Sequence, residues 1–309
     1  MNPARQFGTL IGLLVLCVIL WILSPFFLTV SNLLNVAEQT SINAIVAVGM
    51  TFVILSGGID LSVGSIVALA GVVLGLALRG DQPLALALFV ALVAGAICGL
   101  ANGMLVSLGG LPPFIVTLGT MSIARGAALL VTEGRPISGF AASFRLFATG
   151  RVGFVPAPVI ATALVYLIAH LALTRTTFGR YVYAIGGNEE ATRLSGVAIP
   201  FHKTMIYVVS GLTAAIAAVI LTARLNSAQP IAGMMYELDA IAATVIGGTS
   251  LMGGEGTLAG TLVGALIMGV LRNGLNLLGV SSFLQQIVIG AVIVVAVLLD
   301  TMLKRKHAV

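Results

Sequence analysis

The sequence predicts an all-α, polytopic transmembrane bundle of about ten spans, with the N- and C-termini cytoplasmic. Three features carry that expectation. Of 309 residues, 59% are hydrophobic and 8% charged, and the mean hydropathy is +1.15. A soluble domain usually carries about 25% charged residues, so this chain cannot cover a soluble surface with polar groups. Residues 7 to 28, 82 to 124 and 273 to 299 contain no charged side chain, and about 20 apolar residues suffice to cross a hydrocarbon core of roughly 30 Å. The spans must be helical because unpaired backbone groups cannot face lipid.

Glycine, proline and charge clusters punctuate the apolar chain. They predict spans near 7 to 28, 38 to 57, 62 to 78, 84 to 107 and 112 to 131, then 156 to 174, 204 to 224, 238 to 252, 257 to 278 and 283 to 300. The segment 238 to 252 is the weakest, being short and opening with Glu237 and Asp239; a re-entrant path is its alternative. With no linker or low-complexity tract, residues 1–309 read as one integral membrane domain. The apolar stretch from Phe7 to Leu28 exceeds the usual signal-peptide core of about 7–15 residues, and no A-x-A-like site follows it. Cys17 and Cys98 fall within spans, where a thiol packs as a small apolar group.

Ten spans place both termini on one side with the connections near 58 to 62, 108 to 111, 175 to 203 and 253 to 256. That side carries Arg5, Arg175, Arg180, Arg193, Lys203, Lys304, Arg305 and Lys306, and the other carries Arg79, Arg135, Arg145, Arg151 and Arg224. Excess Lys and Arg marks the cytoplasmic face. The net charge of +5 follows from these loops and gives no clustered basic face of the kind nucleic acid requires.

Gly95, Gly99 and Gly103 recur at spacing four, as do Gly71 with Gly75 and Gly260 with Gly264. Small residues at that spacing let helix backbones approach closely. Packing inside the bundle is the plainer reading and a subunit seam the sharper one. Val53, Ile54 and Gly64 also align with Val245, Ile246 and Gly256 at an offset of 192, too few identities to establish a repeat.

The loop 175–203, RTTFGRYVYAIGGNEEATRLSGVAIPFHK, is the sizeable charged stretch on the inner side. Gly186 and Gly187 are expected to break the chain, Asn188 to cap a helix, and Glu189 and Glu190 to sit in its first turn, where the dipole favours acids. Arg193 follows Glu189 at i, i+4, and Gly196 stops the helix before Pro200. One short surface helix of about two turns results.

AIGGNEEATRLSGVAI, within that loop, resembles the cytoplasmic coupling segment of the sugar permeases of ribose-type ATP-binding-cassette importers. GMTFVILSGGIDLSVGS (49 to 65), LPPFIVTLGTMSIARG (111 to 126), SAQPIAGMMYELDAIAATVIGGTSLMGGEGTLAGTLVGALI (227 to 267) and LRNGLNLLGVSSF (271 to 283) resemble the same family. The resemblance implies a multi-pass permease of the bacterial inner membrane that carries a monosaccharide, ribose favoured over xylose, arabinose, galactose, inositol or a furanosyl signalling molecule. It implies that Gly187, Asn188, Glu189, Glu190, Ala191, Thr192, Arg193, Leu194, Ser195 and Gly196 dock on a cytoplasmic ATPase subunit that holds ATP and Mg. It also implies a periplasmic sugar-binding protein on the outer loop 132–155 and a second permease copy, the homodimer favoured.

Several residues have two readings each. Asp60, in GGIDLSVGS, caps the next span in the plainer reading and forms a gate or inside-face contact in the sharper one. Arg125 and Arg272 lie within spans, about 9 Å from the outer end at 1.5 Å per residue, where long stems snorkel to the interface or line a hydrated cavity. A sugar path needs dispersed amides and hydroxyls; Asn43, Asn102, Asn273, Asn276, Gln285 and Gln286 fit, and bonding of neighbouring helices is the alternative for each. Arg135, Arg145 and Arg151 are candidates for pairing with acids of the binding protein.

No G-x-x-x-x-G-K-[ST] loop occurs, so ATP hydrolysis is not expected of this chain and it needs no cofactor of its own. No H-E-x-x-H occurs either, which disfavours a metalloprotease and leaves no metal site to propose. The principal rival is an ion-coupled secondary transporter using Asp60, Glu237 and Asp239. Coupling carboxylates usually sit near the midplane, whereas these fall at span ends.

Overall fold

The computed structural model describes the backbone of residues 3–307 and the side chains of 8–295 and 298. Arg5, Lys304, Arg305 and Lys306, four of the cations expected on the inner side, therefore lie outside the described side chains.

Thirteen helices run through the described residues. The first five are α1 (Pro3–Leu23), α2 (Val30–Leu55), α3 (Val63–Arg79), α4 (Leu84–Ser107) and α5 (Pro113–Thr132); α3, α4 and α5 match the expected spans, whereas α1 ends short of Leu28 and α2 begins at Val30, well before 38. The strand β1 (Ile137–Ser138), the helix α6 (Ala142–Thr149) and the hairpin of β2 (Arg151–Val152) and β3 (Val155–Pro156) fill the next connection. Then come α7 (Ala157–Arg175), α8 (Thr177–Gly187), α9 (Glu189–Leu194), α10 (Ile199–Leu225), β4 (Ser227–Ala228), α11 (Tyr236–Ile246), α12 (Leu258–Leu277) and α13 (Ser282–His307). Six helices, α2, α4, α5, α7, α10 and α12, are long and apolar enough to cross a membrane, and α1, α3 and α13 contain shorter apolar stretches. The chain is thus an all-α, polytopic membrane bundle.

α2 and α10 form the buried centre. Every residue of α2 from Thr40 to Leu55 is buried except Asn43, and α10 packs along α4, α2 and α3. The glycine stripes explain how the helices come so close. Cβ atoms at Gly95, Gly99 and Gly103 of α4 would collide with the backbone of Gly211, Tyr207 and Thr204 on α10. Gly71 faces Thr222 of α10, while Gly260 and Gly264 of α12 face the backbone of Gly247 and Ala243 at the end of α11. All these glycines pack inside the bundle, the plainer of the two expectations.

Three local expectations need correction. α11 has 11 residues, about 16 Å at 1.5 Å per residue, so 238 to 252 does not cross as one helix; a non-helical run, Gln229 to Met235, leads into it. Gly186 and Gly187 do not break the helix ahead of them, because α8 runs through both and ends at Gly187, with Asn188 as its C-cap. At Gly186 a Cβ would collide with the Leu55 carbonyl and the Gly254 amide, so this glycine permits close approach. The loop 175–203 therefore holds two helices, α8 and α9, ahead of α10 rather than one.

Contacts sort the connections into two ends. At one, the Gly254 N–H donates to the Leu55 carbonyl at 2.9 Å, the Thr117 hydroxyl to the Ile59 carbonyl at 3.3 Å and the Tyr183 hydroxyl to the Gly256 carbonyl at 2.9 Å. The break at 56 to 62, the start of α5, α8 and the loop 247 to 257 thus meet. At the other, β1 pairs antiparallel with β4, Ile137 opposite Ala228, and Arg151 reaches Glu38 at 3.8 Å. The two segments related by the offset of 192, 53 to 71 and 245 to 263, each hold a helix end, a break and a new helix.

Candidate coupling and translocation sites

α9 forms as its sequence dictates. The Asn188 side chain accepts from the Ala191 N–H at 2.9 Å, capping the first turn, and Gly196 takes a left-handed φ of +83° that ends it. Arg193 bridges Glu189 at 3.3 Å and Glu190 at 3.2 Å. Lys203 Nζ lies 2.6 Å from Glu189 Oε2, tying α9 to the first turn of α10. Thr192 is the buried member of the helix, whereas Leu194 is 81% exposed, an apolar side chain turned outward from a charged helix. Beside α9 lies a cavity of about 430 Å3 lined by Gly110, Leu111 and Pro112 of the α4–α5 turn and by Glu189, Arg193 and Lys203. On α8, burial pushes the Tyr183 hydroxyl above its ordinary pKa, keeping it a neutral donor to the loop it holds.

Further along α10, a second polar cluster gathers at Ser210. Asp60 is fully buried. It accepts from the Ser62 N–H at 2.9 Å and Ser62 hydroxyl at 2.6 Å through Oδ1, and from the Ser210 hydroxyl of α10 at 2.7 Å through Oδ2. Asn102 Nδ2 donates to Ser62 Oγ at 2.9 Å, and the Thr120 hydroxyl donates to Asn102 Oδ1 at 2.5 Å. The simple capping reading needs correcting: Ser62 is the N-cap residue of α3 and Asp60 stands two residues before it. Its carboxylate closes a turn and knits the break to α10, because buried polar backbone needs internal partners.

Neither span arginine snorkels. Arg125 donates to the carbonyls of Pro230 at 2.9 Å and Ala232 at 2.7 Å, satisfying the non-helical run ahead of α11. Arg272 pairs with Asp239 at 2.7 Å, and Asn43 Nδ2 donates to the same Asp239 Oδ2 at 3.2 Å. Asp239 is bonded to Asn43 at the middle of α2 and so, contrary to expectation, does not lie at a span end; what weakens the ion-coupled rival is that this carboxylate is already matched by the Arg272 guanidinium.

The amide candidates do not gather into one pocket. Asn43 joins Asp239, and Asn102 belongs to the Asp60 cluster. Asn273 exchanges two amide bonds with Asn32 of α2, at 3.0 and 2.8 Å. Gln285 donates to Asn276 at 2.8 Å, and Gln286 is exposed on α13. Of the outer arginines, Arg135 and Arg145 are exposed, and Arg151 leans towards Glu38.

The sequence reading missed two elements at these sites. α6 carries Arg145, and its signal was present: Phe140, Phe144 and Phe147 recur at helical spacing, and Phe140 packs edge-to-face on buried Phe144 at 5.5 Å. α8 had the apolar positions Val182 and Ile185, both buried, hidden by the glycines taken as breakers. The partners of Arg125 and Arg272 lie 105 and 33 residues away in sequence and left no local signal.

Comparison with known proteins agrees with this architecture. Residues 32–297 match the family described as branched-chain amino acid transport system / permease component. The chain is 50% identical over 299 residues to the ribose import permease protein of Bacillus subtilis (strain 168), covering 96% of this chain and 92% of that one. It is 51% identical over 296 residues to the ribose import permease protein of Escherichia coli (strain K12), covering 94% and 92%. To the D-allose transport system permease protein of the same E. coli strain it is 40% identical over 302 residues, covering 97% and 93%. No solved structure matches significantly. With a helical membrane bundle and a family match over most of its length, the chain belongs to the transport-system permease component family.

Proposed function

We propose that this chain is the membrane permease subunit of an ATP-binding-cassette importer that brings ribose into the bacterial cytoplasm across the inner membrane. One observation carries the substrate: half of the residues are identical, over nearly the full length, to ribose import permeases, against two-fifths to an allose permease. ATP hydrolysis then belongs to a separate cytoplasmic subunit, which binds ATP and Mg. A periplasmic sugar-binding protein delivers the substrate, and a second copy of the permease completes the path.

Residues 1–309 act as one integral domain with both termini inside and about ten passages, the run 229 to 246 counting as one of them. The end that carries α8 and α9 is cytoplasmic. Residues 187 to 196 dock on the ATPase, and exposed Leu194 supplies the apolar contact such a groove would take. The ion pair of Glu189 with Lys203 and the bond of Ser210 to Asp60 make α10 the lever from that dock to the break at 56 to 62, where Asp60 acts as a gate hinge. Arg135, Arg145 and Arg151 face the binding protein. Among the pathway amides, Asn43 is partly exposed beside the Arg272–Asp239 pair, and Asn102 serves packing.

ATPase activity of the chain co-purified with its ATPase, in the presence of ribose-loaded binding protein, tests this reading. Stimulation by ribose and not by allose is expected. Equal stimulation by both sugars contradicts the assignment of substrate, and none with either contradicts the coupling.

A further inference from the structure

Asn43, the one residue not buried between Thr40 and Leu55 of α2, belongs to a polar stripe. Asn35, Gln39 and Asn43 recur at spacing four, so they share one face of α2. Asn35 is exposed and Gln39 and Asn43 are partly so, and Gln39 Nε2 donates to Asn35 Oδ1 at 3.3 Å along the stripe. α2 has 26 residues, about 39 Å at 1.5 Å per residue. Asn43 therefore stands near its middle, and the stripe climbs from there towards the end that carries Glu38 and Arg151.

A second, independent feature opens on the same place. Arg272, within α12, keeps 38% of its side chain exposed while Asp239 beneath it is 3% exposed. Asn43 bonds to that same Asp239, so the amide stripe and the half-open guanidinium border one surface. A part-exposed guanidinium and the amides of Gln39 and Asn43 below the outer rim cannot face lipid without a large cost, and Asn35 continues the stripe at the rim. The surface therefore faces away from lipid, onto water or onto a second copy of the chain, and accessibility to a water-borne reagent separates the two. Its charge is internally matched, since Arg272 and Asp239 cancel, and what it offers a solute is hydrogen bonding without net charge. Asn43 is partly exposed, with its Nδ2 committed to Asp239 at 3.2 Å and its Oδ1 buried beneath the surface, so it anchors the stripe to the ion pair.

We infer that Asn35, Gln39, Asn43 and Arg272 form the outer half of the wall along which a neutral polyhydroxylated solute, a monosaccharide, moves through the permease. This rests on the importer reading and names the surface of the path that the reading leaves open. The amides exchange hydrogen bonds with successive hydroxyls, and Asp239 holds Arg272 and Asn43 in register without presenting a free charge.

Cysteine accessibility in the assembled transporter tests it. In a Cys17→Ser/Cys98→Ser background that retains ribose-stimulated ATPase activity, Asn35→Cys, Gln39→Cys and, as a lipid-facing comparison, Ile168→Cys are treated with a cationic, membrane-impermeant methanethiosulfonate. Ile168 is 67% exposed but apolar in its surroundings on α7. The expected result is labelling of Asn35→Cys and Gln39→Cys severalfold faster than Ile168→Cys, slowed severalfold by ribose with its binding protein and ATP. Labelling no faster than at Ile168→Cys overturns the inference, as does labelling that ribose leaves unchanged. Ribose-stimulated ATPase activity in the same samples separates the two readings: if it persists while labelling fails, the importer assignment stands and this wall does not.

Discussion

Asp60 and Arg272 illustrate how buried polar side chains stabilise a membrane bundle that is not helical throughout. Asp60 accepts three hydrogen bonds and so stabilises a chain break that lipid could not solvate. Asp60→Asn keeps an acceptor for Ser62 and an amide for Ser210, so thermal unfolding in detergent should report a loss within about 1 kcal/mol. Asp60→Ala strands those donors and should cost about 1–3 kcal/mol. A folded Asp60→Asn transporter that no longer carries sugar would support the hinge role over a purely structural one. For Arg272, removal leaves the buried Asp239 without its charge partner; because the guanidinium itself is part-exposed, the cost falls below the roughly 3–5 kcal/mol of a fully buried pair. Arg272→Leu should therefore lower thermal stability, and the double variant Arg272→Leu/Asp239→Leu should recover most of it. Equal losses in the single and double variants would show that the pair is not the source of the cost. None of this was readable locally: Asp60 was visible as an odd acid between glycines, but Ser210 lies 150 residues away, and the roles of Arg125 and Arg272 depend on carbonyls and a carboxylate brought near only by folding.

Helices were far easier to read, because apolar runs ended by Gly, Pro and charge give each its boundaries. α4 was expected at 84 to 107 and lies at Leu84–Ser107. The failures came where a glycine has two uses. Gly186 looks like a breaker in sequence, yet its role is to admit Leu55 and Gly254 backbone beside α8, and only the neighbour reveals this. The distinction is testable on α4 and α5. Gly99→Ala pushes a methyl into the Tyr207 carbonyl and should destabilise by about 1–3 kcal/mol. Gly119→Ala, with nothing within 4 Å, should be neutral or gain about 0.5–1 kcal/mol from helix propensity. Size-exclusion profiles and unfolding temperatures should separate the two variants. On α9, Leu194→Asp should weaken association with the ATPase while leaving the permease fold intact, as co-purification yield would report. Glu189→Lys should uncouple sugar-stimulated ATPase activity, and Glu189→Lys/Lys203→Glu should restore part of it. Failure of the reciprocal swap to restore any coupling would mean that the 2.6 Å ion pair is incidental.

Taken together, the molecule has two chemically different ends joined by one central pair of helices. One end gathers α8, α9, the break at 56 to 62 and the glycine loop 247 to 257; the other gathers α6, the two small sheets and exposed Arg135 and Arg145. α10 spans the distance, bonded to α9 through Lys203 and to the break through Ser210. In the importer proposed above, such an arrangement would let a push on a short exposed helix reach the centre of the bundle, with work entering as binding energy from the proposed ATPase partner. Sugar uptake into proteoliposomes holding the permease and its ATPase examines this directly, with ribose-loaded binding protein outside and ATP enclosed. Uptake that requires both ATP and the binding protein and is unaffected by a protonophore is the expected result. Uptake that persists without the ATPase and collapses with the proton gradient would contradict it.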